Sequence, residues 1–387
     1  MGNNSVLELI ASETVGKSFK TTKFGFDGID IPRLDYDDSK KIEWKAYGEN
    51  EKITEVRDLS SEAKRRESHN PCFSFFLDGS RKVYKVDDLS YINQVFPLLA
   101  GQVGVGCCER KNKVMRPVYV NGENLFERHF VISLPSIAKS DDFISDELAF
   151  EHLREKINSI ESIKQRGVRF TKILSYDTAI DPEGKIENKG IATIQDYMVE
   201  QEKLLVAKMV KLNLLNEENF LLKDGTLEYR VQNITDEKEL AKFKNNYQFV
   251  VGVSKSFNPT LCIDKRNNNI SKKIAQLPLY SRTPVNLYRS DRIGDMFFAI
   301  WFVRIRDKKY SKNAFDGVLK IEKIVEDDTL LDTGQVDFIT ANIINERNPV
   351  CYGADPRWAN HLYPVFVTES YVKSQYLSDS MFLNIFS

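Results

Sequence analysis

Histidine and cysteine are scarce in this chain, with four and five copies in 387 residues, and that scarcity narrows the chemistry first. No two cysteines have the C-x-x-C spacing of a structural zinc site. Cys72, Cys107, Cys108, Cys262 and Cys351 are odd in number and scattered, which fits reduced thiols better than a disulfide framework. Cys107 and Cys108, adjacent in an extended segment, would point to opposite sides and make poor joint ligands. Long apolar runs are missing too. The longest, Met296 to Val303, falls well short of the ~18 to 20 residues of a membrane-spanning helix. The N-terminus lacks a basic leader and Glu8 breaks its short apolar stretch, so a secretory signal is not expected and a cytoplasmic location is. An excess of either charge is also absent. A net charge of -1 excludes nucleic-acid binding by bulk charge while leaving room for local patches.

What is present is 42% hydrophobic composition, enough for a large core. The charges are grouped: basic runs lie at 109–116, 264–273 and 306–313, and an acidic one at 325–337. Residues 1–69 are polar and read as an N-terminal extension with a short capped helix and a charged helix near 60–69. From residue 70 the texture changes to strands at 72–77, 82–87, 102–108, 116–120 and 128–134. Helices at 145–162 and 193–215 follow, then a strand at 219–224, a helix near 236–244 and a strand at 247–255. Further strands are expected at 296–306 and 316–324, and the end of the chain reads as helix, connector, helix. This order predicts an α/β core around a mixed sheet. The glycines of "AGQVGVG" (100–106) lack the order and the following lysine of a phosphate loop and read as a softened strand. The first helix and the apolar tail "SMFLNIFS" are candidate dimer or partner contacts, beside ordinary packing on their own domain.

Two stretches share one grammar: "CFSFFLDGS" and "NFLLKDGTL" each run an apolar strand into Asp-Gly, at Asp78 and Asp224. One reading is a turn; the other is a buried strand that delivers a carboxylate to its end. Between them, the apolar stripe Ile194, Met198, Leu205, Met209, Leu212 of the long helix is interrupted by Glu202. An inward carboxylate costs several kcal/mol unless it is paired or meets a cation. Glu202 at the edge of the stripe, reaching water, is the alternative, and a small error of phase would exchange it with Glu200. Asp78, Glu202 and Asp224 could converge at one edge of a sheet, where their mutual repulsion would favour bound Mg²⁺ or Mn²⁺. Such ions suit phosphodiester hydrolysis. Lys255, at the end of an apolar strand, could meet a phosphate, as could Arg282, Arg289 and Arg304; for Lys255 the alternative is a side chain that snorkels to solvent.

The order "FFLDGS", helix-borne Glu, "LLKDGTL", "VVGVSKS", late strands "FFAIWFVRIRD" and "GVLKIEKI", and finally "YPVFVTESY" resembles the NurA nucleases from about residue 70 to the end. The resemblance implies a ribonuclease H-like mixed sheet flanked by helices, with residues 70–387 as the nuclease domain. It implies a homodimeric, Mn²⁺-dependent nuclease on DNA ends and single strands, working beside the hexameric ATPase HerA in DNA repair or antiviral defence. By position, Asp78 and Asp224 correspond to the family's metal-binding aspartates, Glu202 to its glutamate and Tyr363 to its tyrosine. Where the family commonly has a histidine, this chain has Tyr371, a poor neutral metal ligand; His361 is the candidate replacement. Two other readings use the same residues: a non-catalytic DNA-binding or ring-docking subunit on a nuclease-like fold, and a ribonuclease.

Overall fold

The computed structural model describes residues 5–18, 23–25, 43–45, 48–91, 93–138, 145–179, 185–228, 237–262, 264, 268–290, 296–311, 313–325, 329–349 and 358–387. The main elements, in chain order, are α1 (Val6–Glu13), α2 (Ser60–Arg66), β1 (Phe73–Tyr91), β2 (Gln94–Lys111), β3 (Phe126–Pro135), α3 (Asp146–Ser159) and β4 (Phe170–Tyr176). They continue with α4 (Ile186–Lys211), β5 (Phe220–Asp224), α5 (Glu237–Asn246), β6 (Val250–Ser254), β7 (Met296–Arg304), β8 (Val318–Val325), α6 (Thr333–Asn345) and α7 (Tyr363–Ser374).

The strands form one mixed sheet whose central path is β4-β3-β2-β1-β5-β6-β8-β7. Within it, β3-β2-β1-β5-β6 is the ribonuclease H-like unit expected above: β2 runs antiparallel to both neighbours, while β5 and β6 are parallel to β1. The connection from β4 to β5 passes through α4, the long crossover a parallel pair requires. Strands from the first 69 residues extend the same sheet: Arg57–Asp58 pairs with Ser281–Arg282, and Glu43–Lys45 pairs with Asn286–Ser290. Helix α1 packs into the core beside Phe382 and Phe386 of the tail, so both candidate contact segments are largely buried in their own chain.

Two expectations change. The segments 72–77 and 82–87 are a single 19-residue strand, with no break at Asp78-Gly79-Ser80. Helices cover both faces there, so residues of either parity are buried and the alternation that marks a half-exposed strand is lost. The helix expected over 145–162 ends at Ser159, and a short second one covers Glu161–Gln165.

Side-chain parity assigns each face of the sheet its own core. Leu77 and Val83 of β1 and Leu221 of β5 pack with Ile194, Met198 and Leu205 of α4. Phe76, Leu222, Val251 and Val253 face the other way and pack with Val365 of α7 and Ile339 and Ile343 of α6. A third core lies under α1 and α3. Cys72, Cys107, Cys108 and Cys262 are all buried and unbonded, which agrees with thiols that carry no crosslink; Cys351 lies outside the described residues.

Candidate functional site

Asp78, Asp224 and Lys255 lie on three neighbouring strands or at their ends, β1, β5 and β6, and parity places all three on the face covered by α7. Asp78 pairs in register with Gly106, and a Cβ on Gly106 would meet Val372 and Tyr371 of α7. Helix α7 supplies the fourth member, Glu369. The Lys255 ammonium stands 3.0 Å from Asp224 Oδ2 and 3.5 Å from Glu369 Oε2, and Lys373 holds the other Glu369 oxygen at 2.8 Å. Asn360 anchors the lysine from behind, donating to the Lys255 carbonyl at 2.6 Å and to that of Val318 at 3.1 Å.

Glu202 approaches from the other side of the sheet. Its carboxylate pairs with the Lys223 ammonium at 2.9 Å, both side chains only 4% exposed. It lies where the side chain of residue 79 would be, so that a Cβ on Gly79 would overlap it. This accounts for the glycine of the first Asp-Gly. The glycine of the second has another cause: Gly225 has φ +84°, a left-handed turn that a Cβ disfavours. Lys223 Nζ also donates to the Asp224 carbonyl at 2.7 Å, so the Glu202–Lys223 pair braces the turn that carries Asp224. The two meanings weighed for Asp-Gly, turn and carboxylate, both hold at Asp224, whereas Asp78 sits in mid-strand.

The electrostatics follow. Burial, then the negative charge of Asp224, pushes the Asp78 carboxyl well above its usual range; Lys255 opposes this, and Glu369 and Glu202 add to it. Burial works against the Lys255 ammonium, but Asp224, Asp78 and Glu369 outweigh it and hold its pKa above the ordinary value. Lys223 is likewise disfavoured by burial and kept charged, chiefly by Glu202. Three carboxylates on the α7 face thus share one internal ammonium.

The remaining candidates are placed as follows. Glu200 is paired with Lys203 at the helix surface. Tyr363 opens α7 and is exposed, its amide donating to the Glu346 carbonyl. Tyr371 is two residues beyond Glu369, about 200° around the helix; its hydroxyl accepts from Asn124 at 2.6 Å and its ring meets Phe126 edge-on. His361 is buried against Trp358 and Phe366. Arg282 is fully buried, bound to Glu49 at 2.7 Å and Asp337 at 2.7 Å. Arg304, also buried, donates to the carbonyls of Leu277, Asp316, Ala275 and Ala314. Neither guanidinium is at the surface to meet a strand of nucleic acid. The side chain of Arg289 lies outside the described residues. Glu369 went unread in the sequence although the signal existed: it interrupts the buried run Val365, Thr368, Val372 of α7 as Glu202 interrupts that of α4.

As they stand, no three histidine, cysteine or carboxylate groups among the described residues are close enough to enclose a metal ion. Magnesium-type ions, however, are commonly held by one or two carboxylates, completed by water and phosphate. Asp78 and Asp224, all-oxygen donors in a site with more carboxylates than cations, fit that mode.

Fold and site together define an α/β protein with a ribonuclease H-like sheet and an acidic cluster on the α7 face of its central strands. The crystal structure of the NurA nuclease from Sulfolobus solfataricus is similar to this chain at 10% identity and a TM-score of 0.41, over 85% of this chain and 81% of that one. No family model and no curated protein sequence matches the chain.

Proposed function

We propose that the chain is a divalent-metal-dependent deoxyribonuclease of the NurA kind, cutting single strands and DNA ends. The observation that carries the reading is the meeting of Asp78, Asp224 and Glu369, from elements far apart in sequence, around the one ammonium of Lys255. Mn²⁺ or Mg²⁺, held by Asp78 and Asp224, would supply the activation of water and the stabilisation of the leaving oxygen. The chain's own groups do the rest. Lys255, transferred from its carboxylates to a scissile phosphate, neutralises charge there, and Glu369 receives it back when product leaves. Exposed Lys111 and Lys113, at the tip of β2, guide the strand by its phosphates. In this reading the chain works as a cytoplasmic homodimer docked on a HerA-type ATPase ring.

The test is cleavage of a labelled single strand with Mn²⁺ by the wild type and by Asp78→Asn and Asp224→Asn. Loss of at least 100-fold in rate with unchanged circular dichroism supports the reading, and wild-type rates in both variants refute it. Two features favour a second reading, a non-catalytic DNA-binding or ring-docking subunit: Lys255 already serves as a cation, and Tyr371 is engaged by Asn124. DNA binding without metal-dependent cutting by the wild type would select that reading.

A further inference from the structure

Lys323 of β8 is 6% exposed, yet no carboxylate among the described residues lies within ion-pairing distance of it. The contrast with the other two buried lysines is direct, since Lys223 and Lys255 are each bound to acids. The Lys323 ammonium donates to the Gln248 carbonyl at 2.5 Å and lies 5.9 Å from the centre of the Phe220 ring. A buried ammonium with no counter-charge is costly, and burial pushes this one down to about 8. It lines a cavity of about 410 Å³, within the size of small-molecule sites. Phe220, Phe249 and Phe338 give the cavity three aromatic walls, and Lys244 contributes a second basic group. Glu217 is the one acid among the described lining residues. This cavity adjoins β8 and α6 and shares no residue with the carboxylate cluster.

We propose that this cavity is a binding site for a small organic anion that carries an aromatic ring, with its anionic group paired to Lys323 and its ring among the three phenylalanines. The ligand supplies what the described residues do not: it brings a counter-charge to Lys323, and its ring finds offset or edge-on partners. A nucleoside monophosphate and an aromatic carboxylate share this chemistry. The structure assigns the shared part, and binding separates the two sources.

The experiment is calorimetric titration of the full-length protein at pH 7 with adenosine 5′-monophosphate, benzoate and inorganic phosphate, without divalent metal. At least one ring-bearing anion is expected to bind at least 10-fold more tightly than inorganic phosphate. Its affinity should fall at least 10-fold in Lys323→Met and also in the wild type between pH 7 and pH 9.5, as Lys323 loses its proton. Preference for the monophosphate identifies a nucleotide site, and preference for benzoate a carboxylate site. The proposal is overturned if neither ring-bearing anion binds more tightly than phosphate, or if binding is unchanged both in Lys323→Met and at pH 9.5. Should Lys323→Met fail to fold, the pH series on the wild type decides alone. Cleavage activity is not read, so the outcome is independent of the nuclease proposal.

Discussion

Single side chains carry most of the testable chemistry. Asp78 binds its proton more tightly in the folded state than in the unfolded chain, so the stability it affects falls as pH rises through its normal range toward its raised value. Asp78→Asn is therefore expected to raise the melting temperature at pH 7 while it abolishes metal-dependent cutting; thermal melts at pH 4 and pH 7 check this, since the gain should shrink at the lower pH. Lys323 has the opposite sign. Its folded pKa is depressed to about 8, so the unfolded chain binds more protons between there and about 10.5, and stability rises with pH across that window by up to about 3 kcal/mol. Denaturant titrations at pH 7.5 and 10 should show this rise in the wild type and its loss in Lys323→Met. At this scale the sequence was legible where a charged residue broke an apolar pattern, as at Glu202 and Asp224. Lys323 sits in "VLKIEKIV", and there alternation alone cannot tell an inward lysine from an outward one when both faces of the strand are covered. Arg282 and Arg304 read as surface contacts for a related reason: an arginine at a strand end looks the same in sequence whether it meets water, buried carboxylates as Arg282 does, or internal carbonyls as Arg304 does.

Elements determine which charges can meet. The central strands separate the site into two charge systems, Asp78, Asp224, Glu369 and Lys255 under α7, and Glu202 with Lys223 under α4. The expectation of three carboxylates meeting at one edge took Asp78 and Asp224 at the ends of their strands with Glu202 on the helix between, without the alternation that sends Lys223 and Asp224 to opposite faces. The strand pattern and the long helix were readable because their stripes are long; the register that sets Gly79 against Glu202 was not, because it is a contact between segments more than a hundred residues apart. Gly79→Ala should cost about 2 kcal/mol through overpacking against the Glu202 carboxylate. Glu202→Gln should cost about 3 to 5 kcal/mol by taking from buried Lys223 the carboxylate it pairs with, while the double change Glu202→Leu with Lys223→Met recovers most of that loss. Urea unfolding of the four proteins gives both numbers, and a double variant no better than Glu202→Gln would show that the pair does more than cancel its own burial.

For the whole molecule, the relevant question is whether a metal stabilises the fold. If Asp78 and Asp224 hold a divalent ion, Mn²⁺ at 100 times its dissociation constant should stabilise the wild type by about 2.7 kcal/mol. Differential scanning calorimetry with and without Mn²⁺ reads the shift, which should vanish in Asp224→Asn. The α/β class and its mixed sheet were legible from the order of strands and helices. The way strands from the first 69 residues join that sheet was not, because two- and three-residue strands leave no periodicity to read.

The buried thiols offer a natural clock for this architecture. Cys72 belongs to the core under α6 and α7, and Cys107 and Cys262 to the core under α4, while the layer between these two cores is one continuous sheet. A thiol-reactive dye added to the native protein would therefore label these sites only as fast as their layers come apart, without any engineered probe. Equal labelling rates would mean that the sheet transmits opening from one side to the other, and unequal rates would identify the layer that yields first.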